Sequence, residues 1–205
     1  MRFDREELRR RLPRFETAVT ADRRKIRGDH DLNPDMLPPA SLREAAVLVP
    51  LVEREDGLHI LLTLRTDHLA AHAGQISFPG GRTEEEDADA LDAALRETEE
   101  EIGLPREKID VMGRLDTYVT RTGFRIVPFV GLIRPPFTLE PDPFEVAEVF
   151  EVPLGFVLAP GKPERHSRMF QGRERFFYVF PYGERFIWGA TAGMLLNLRE
   201  ALEVD

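Results

Sequence analysis

A helical segment that carries three glutamates on one face is the feature that most restricts how this chain folds and what it binds. The sequence from Asp87 to Ile102 has the spacing of an amphipathic helix, at about 100° per residue. Glu97, Glu100 and Glu101 share a face at i, i+3 and i+4, where like charges repel by roughly a few tenths of a kcal/mol per pair. These carboxylates also lie in the last helical turn, where the helix dipole disfavours anions. The core-facing stripe of this helix is predicted to be Leu91, Leu95, Thr98 and Ile102.

Such a carboxylate face has two interpretations. Glutamate runs on helices are usually solvated surface. A hard divalent cation would instead turn the mutual repulsion into attraction, and clustered carboxylates are the ligands that Mg²⁺ or Mn²⁺ selects. The tight turn at Pro79, Gly80 and Gly81 directly precedes the helix and lets backbone approach a ligand closely, which favours the second interpretation.

The rest of the chain predicts a mixed α/β fold in which strands, helix, strands and helix follow one another. We expect an N-terminal helix and arm over 1–42 and a main domain over 43–205. The helix that follows Gly81 is expected to be capped by Thr83 with Glu86, or by Asp87. The other predicted elements are a helix over 4–16 that Pro13 ends or kinks, a hairpin over 45–53 and 58–65, strands over 75–81, 109–119 and 124–133, a short helix near 145–150, a hairpin over 176–189 and a helix over 190–203.

Composition excludes several classes of protein. The 205 residues contain no cysteine, so disulfides and thiolate metal sites are excluded. No run of eighteen apolar residues is present and the N-terminal segment has no apolar core, so we expect neither a membrane span nor a signal peptide. We therefore expect a cytoplasmic protein. The net charge of −9 disfavours general nucleic-acid binding but not a small phosphorylated ligand. The sequence is compatible with a monomer or a homodimer.

The segment GGRTEEEDADALDAALRETEEEIGL resembles the Nudix box, G-x5-E-x7-R-E-U-x-E-E-x-G-U. Two departures stand out. The first acidic position is Asp87, separated by eight residues rather than seven from the arginine, and the apolar position after the R-E pair is Thr98. The matching residues are Gly81, Arg96, Glu97, Glu100, Glu101, Gly103 and Leu104.

The upstream segment LLTLRTDHLAAHAGQISFPGG is similar to the coenzyme A diphosphatase branch of the Nudix hydrolases, as is the later IWGATAGML. The similarity covers roughly 45–203. Thr66 stands where serine or alanine is usual, and Ala70 or Ala71 stands where an arginine is usual, which changes any substrate contact made there. The residues that carry the resemblance are Leu61, Leu62, Thr63, Arg65, Phe78 and Pro79.

The resemblance implies a Nudix-type α/β/α sandwich around a mixed β-sheet, with a loop–helix–loop metal site for Mg²⁺ or Mn²⁺. Glu97 and Glu101 are the leading metal ligands, and Glu100 is a further ligand or the general base. Arg96 would orient the carboxylates, or pair as an ordinary surface arginine with Asp92 or Glu100. Glu145 and Glu148 are alternative bases, or residues of a solvated helix face.

The substrate implied is coenzyme A or an acyl-coenzyme A, cleaved at its diphosphate to 3′,5′-ADP and 4′-phosphopantetheine. Arg65, Gly80 and Gly81 are the predicted substrate contacts, although Gly81 either offers its carbonyl oxygen to a metal or only makes the turn. Two alternatives are another Nudix hydrolase, acting on ADP-ribose or dinucleoside polyphosphates, and a non-catalytic nucleotide sensor. The cations available for the 3′-phosphate of coenzyme A are Arg23, Arg24, Lys25, Arg27, Arg65, Arg121 and Arg125.

Overall fold

The computed structural model describes residues 3–12, 26–68 and 73–203. Within these ranges the α-helices are α1 (Arg5–Arg11), α2 (Ala90–Ile102), α3 (Leu154–Val157) and α4 (Gly189–Glu203). The strands in the same ranges are β1 (Arg27–Gly28), β2 (Arg43–Arg54), β3 (Gly57–Arg65), β4 (Ile76–Ser77), β5 (Gly80–Arg82), β6 (Ile109–Arg114), β7 (Tyr118–Val119), β8 (Phe124–Ile133), β9 (Val146–Pro153), β10 (Glu164–Phe170), β11 (Arg173–Tyr182) and β12 (Arg185–Trp188).

Nine of these strands form one mixed sheet around β2. Along the main path the order is β1-β7-β8-β2-β3-β4, and β2 runs parallel to β8 and antiparallel to β3. Strand β5 pairs with the start of β2, β6 with β8 and β9 with β3. The strands β10, β11 and β12 form a second, antiparallel sheet. The first sheet therefore places β5 and α2 beside each other at one end of its central strand.

Consecutive side chains of β2 point to opposite faces of the sheet, and eight consecutive ones are buried, so the strand is buried on both faces. Val47, Val49 and Leu51 pack into one apolar cluster with residues of α1, α3 and α4. Ala46 and Leu48 pack into a second cluster, which includes the buried residues of α2. Helices thus cover both faces of the mixed sheet, which confirms the predicted α/β/α sandwich. None of the described helices is long and apolar enough to span a membrane.

Most predicted elements are confirmed: the hairpin of β2 and β3, strands β6 and β8, the hairpin of β11 and β12, and α4. The helix predicted near 145–150 is wrong, because this segment is strand β9 and pairs along β3. Strand β10 was not predicted. The N-terminal helix ends at Arg11, and 13–16 lie outside the described residues. The domain boundary at 42/43 stays a prediction.

The start of α2 also differs from the prediction. The helix begins at Ala90, and its N-cap is Asp89, whose side chain accepts a hydrogen bond from the Asp92 backbone N–H. Neither Asp87 nor Thr83 caps it. The predicted core-facing stripe is confirmed at Thr98 and Ile102, which are fully buried, whereas Leu91 and Leu95 are only partly buried. The small Ala93 and Ala94, outside that stripe, are fully buried as well. Small residues let the helix lie close to the sheet.

Candidate active site

Two glycines bring strand β5 against the carboxylates of α2. Gly80 and Gly81 pair with Val47 and Ala46 of β2, which fixes their position at the end of the sheet. The backbone N–H of Gly80 donates to Oε2 of Glu101 at 3.1 Å. A Cβ built on Gly81 would lie 2.5 Å from Oε1 of Glu97, far inside van der Waals contact. Only glycine leaves room for the Glu97 carboxylate at this place.

Glu101 is a charged residue with only 4% of its surface exposed. Burial, with a smaller contribution from the nearby charges of Glu97 and Glu145, raises the pKa of its carboxyl group to about 7, although the Gly80 N–H and Arg65 act in the opposite direction. Nη1 of Arg65 donates to Oε1 of Glu101 at 3.1 Å. Burial likewise raises the pKa of Glu97. The fold thus holds two carboxyl groups where negative charge is costly.

Arg96 joins three carboxylates. Its guanidinium donates to Asp87 from Nε at 2.8 Å and from Nη2 at 3.0 Å, and from Nη1 to Glu97 at 3.1 Å and to Glu100 at 3.0 Å. The paired hydrogen bonds from Arg96 lower the pKa of Asp87 and, together with the one to Glu97, raise the pKa of the arginine. Asp87 therefore serves as the anchor of Arg96, a role that its sequence position did not reveal.

Glu145 lies at the same corner of the molecule. Its Oε2 is 3.7 Å from Nη2 of Arg65, which therefore lies between Glu145 and Glu101. Thr66 fastens this loop to the end of β3, because its hydroxyl donates to the carbonyl of Phe144 at 2.8 Å and its backbone N–H to the carbonyl of Glu145 at 3.0 Å. Glu148 is not brought to the corner, and forms an ion pair with Arg185 of β12 instead.

The residues at this corner fit a divalent cation. The donor set consists of carboxylate oxygens, which suit Mg²⁺ or Mn²⁺. Burial raises the pKa of Glu97 and Glu101 because it disfavours their ionised forms, and a bound cation would stabilise those forms. In the described ranges no three His, Asp or Glu side chains already converge as a metal cage. A bound cation would thus compete with Arg65 and Arg96 for the same oxygens.

A cavity of about 480 Å³ opens beside Gly80 and Gly81. This volume is within the usual range for a small-molecule site. Its described lining includes one carboxylate, that of Asp29, and five arginines: Arg65, Arg82, Arg121, Arg168 and Arg175. In a chain with a net charge of −9, this concentration of arginine makes the cavity suited to an anion.

Of the arginines proposed from the sequence as phosphate partners, the structure brings Arg65 and Arg121 to the cavity. Arg27 pairs with Asp116 and Glu200, and Arg125 pairs with Glu44, so neither lines the cavity. The remaining positions named from the sequence lie outside the described residues: Arg23, Arg24, Lys25, Ala70 and Ala71.

Sequence reasoning missed Arg82, Arg168 and Arg175, because no local pattern distinguishes them from other surface arginines. Thr98, the polar residue at the apolar position of the box, is fully buried. Its hydroxyl donates to the Ala94 carbonyl at 2.6 Å, which satisfies it within the helix.

Comparison with known proteins agrees with the fold. The family model described as NUDIX domain matches residues 42–172. The uncharacterized Nudix hydrolase NudL of Cronobacter sakazakii is 43% identical over 157 residues, 76% of this chain and 81% of that protein. The protein of the same name from Escherichia coli strain K12 is 41% identical over the same shares.

Among solved structures, a MutT/nudix family protein from Enterococcus faecalis aligns with a TM-score of 0.51 and 18% identity, over 82% of this chain and 65% of that one. This likeness supports the fold alone. The fold, the carboxylate helix and the sequence relatives together define a hydrolase that acts on phosphorus-containing anhydrides. The chain belongs to the Nudix hydrolase family, which uses divalent metal cations.

Proposed function

We propose that this Nudix hydrolase cleaves the diphosphate bond of coenzyme A or an acyl-coenzyme A, giving 3′,5′-ADP and 4′-phosphopantetheine or its acylated form. The observation that carries the proposal is the ion pair between Arg65 and Glu101, at 3.1 Å. Arg65 belongs to the segment that resembles the coenzyme A branch, and Glu101 to the Nudix box. Their contact, beside the arginine-lined cavity, supports one site in which the two motifs act together.

Glu97 and Glu101, with Glu100 as a further ligand, are proposed to hold Mg²⁺ or Mn²⁺. When bound, such a cation lowers the pKa of a coordinated water and neutralises charge on the diphosphate. Arg96 keeps Glu97 and Glu100 in place through its hydrogen bonds. Gly80 and Gly81 let the substrate approach the backbone, and Arg65 offers its guanidinium to a phosphate oxygen.

The general base is assigned to Glu145 or Glu100. Both side chains reach solvent, at 42% and 60% exposure, so either can contact the attacking water. The water oxygen bonds to one phosphorus, the bridging oxygen leaves with the other phosphate, and the carboxylate accepts the proton of the water. Glu145→Gln and Glu100→Gln separate the two, since replacing the base lowers kcat with little change in KM.

The test is incubation with coenzyme A and Mg²⁺ or Mn²⁺ in ¹⁸O-labelled water, with products identified by mass. The expected products are 3′,5′-ADP and 4′-phosphopantetheine, with the label in only one of them. ADP-ribose and a dinucleoside polyphosphate are assayed in parallel. A higher kcat/KM for either would overturn the coenzyme A assignment within the family. Absence of product from every diphosphate with either metal would favour a nucleotide sensor.

A further inference from the structure

The second sheet contributes two facing arginines to the cavity. Arg168 of β10 and Arg175 of β11 are direct cross-strand partners, and both line the cavity. Like charges directly opposite each other on antiparallel strands destabilise the pair. Arg121, from the turn between β7 and β8, lines the same cavity. This group of three arginines is called the arginine wall below.

Asp29 provides the carboxylate of the described lining, and both of its carboxylate oxygens already accept hydrogen bonds. Oδ2 accepts from the backbone N–H of Arg121 at 2.9 Å and from Nη2 of Arg175 at 3.2 Å, and Oδ1 accepts from the Tyr118 hydroxyl at 3.0 Å. The described lining thus has one carboxylate for the three guanidinium groups, and this carboxylate contacts the guanidinium of Arg175. The arginine wall keeps an excess of positive charge, which a ligand anion would neutralise.

Aromatic rings hold the other two guanidinium groups. Arg121 lies 4.2 Å from the ring centroid of Phe170, and Arg168 lies 5.0 Å from that of Trp188. Neither guanidinium pairs with a carboxylate among the described residues. The buried Nε atoms of Arg121 and Arg175 also find no acceptor there. Buried donors without partners are costly, so these two N–H groups need an acceptor.

We propose that the arginine wall binds a phosphate monoester on the nucleoside end of the substrate, separate from the diphosphate that is cleaved. A monoester supplies close to two negative charges and three acceptor oxygens, which match three guanidinium groups. The aromatic contacts hold the guanidinium planes in advance, so less entropy is lost on binding. The inference rests on the proposed function, because in coenzyme A this group is the 3′-phosphate.

Binding of adenosine 3′,5′-bisphosphate and adenosine 5′-monophosphate by calorimetry tests the arginine wall without turnover. The wild-type protein is expected to bind the bisphosphate at least tenfold more tightly. Arg168→Gln and Arg121→Gln are each expected to reduce this preference by about tenfold. Arg165→Gln is the matched control. Arg165 lies on β10 and stacks on Phe176 at 4.0 Å, but does not line the cavity.

A preference that is unchanged in both cavity variants, or reduced equally in Arg165→Gln, would overturn the proposal. The kinetic arm compares kcat/KM for coenzyme A with that for 3′-dephospho-coenzyme A, and the ratio is expected to fall in the same two variants. If neither compound is hydrolysed while the calorimetric preference behaves as expected, the phosphate site stands and the proposed function fails. If both are hydrolysed with a ratio that no variant changes, the phosphate site fails alone.

Discussion

At the scale of single residues, Glu101 combines two unfavourable positions. Its carboxylate lies near the C-terminal end of α2, where the helix dipole opposes negative charge, and it is removed from water. Proteins retain such conflicts with local rules mainly at functional sites. The sequence indicated the first conflict through the spacing of the glutamates. The burial could not be read from the sequence, because it depends on β5 lying against the helix.

Replacing either leading carboxylate is expected to lower activity on the order of a hundredfold or more while the protein stays folded. Glu97→Gln and Glu101→Gln keep the shape of the side chain but remove the charge that would hold a cation. Steady-state kinetics with coenzyme A, alongside circular dichroism, measures both effects. Glu99→Gln is the control, since Glu99 lies on the same helix and is exposed at 48%. Wild-type activity in either site variant would reject the metal assignment.

Gly81→Ala is expected to lower activity at least tenfold with a small loss of stability. The added Cβ overlaps the carboxylate of Glu97, a flexible group that moves aside without disturbing the sheet. Gly155→Ala provides the control, because a Cβ at Gly155 has no neighbour within 4 Å. Urea unfolding and kinetics distinguish the outcomes. A large fall in unfolding free energy for Gly81→Ala would show that the glycine serves the fold instead.

At the scale of elements, the sequence predicted most helices and strands but mistook β9 for a helix. Its apolar residues Val146, Val149 and Phe150 are spaced at three and four, which suits a helix as well as a strand. This segment pairs with β3 at seven positions, and it is therefore a strand. Such pairing joins residues far apart in sequence, and no local pattern reports it.

The two aspartates before α2 are expected to have separable effects. Asp89→Ala removes the N-cap and should cost about 1 kcal/mol of unfolding free energy, with activity within roughly twofold of wild type. Asp87→Asn weakens the anchor of Arg96 and should lower activity about tenfold, because Glu97 and Glu100 lose their fixed partner. Thermal unfolding and kcat/KM together measure both variants. Unchanged stability in Asp89→Ala would contradict the capping role of Asp89, and unchanged activity in Asp87→Asn would contradict the anchoring role of Asp87.

At the scale of the whole molecule, the candidate site combines parts of the chain that no sequence pattern connects. The resemblance to the Nudix box predicted Glu97 and Glu101 as metal ligands, and these roles stay a prediction. Arg168 and Arg175 reach the same cavity only because the second sheet packs beside the first. Local patterns therefore predicted the carboxylates of the candidate site, whereas tertiary structure brings most of its arginines together.

Metal binding should stabilise the whole fold. After dialysis against EDTA, adding Mg²⁺ or Mn²⁺ at about 100 times its Kd is expected to stabilise the protein by about 2.7 kcal/mol, raising Tm by roughly 5 to 10 °C. Scanning fluorimetry measures the shift. Glu101→Gln should reduce it strongly, while Glu99→Gln should retain it. An equal shift in Glu101→Gln would place the cation elsewhere.

The turn between β10 and β11 has a practical consequence for making shorter versions of the protein. The family match ends at residue 172, within this turn, and begins after Asp29. A fragment trimmed to that match would keep every residue of the Nudix box. It would also separate Arg168 from its cross-strand partner Arg175 and discard Trp188. Such a minimal domain would retain the Nudix box yet lose part of the proposed phosphate site, so we expect its substrate preference to differ from that of the longer chain.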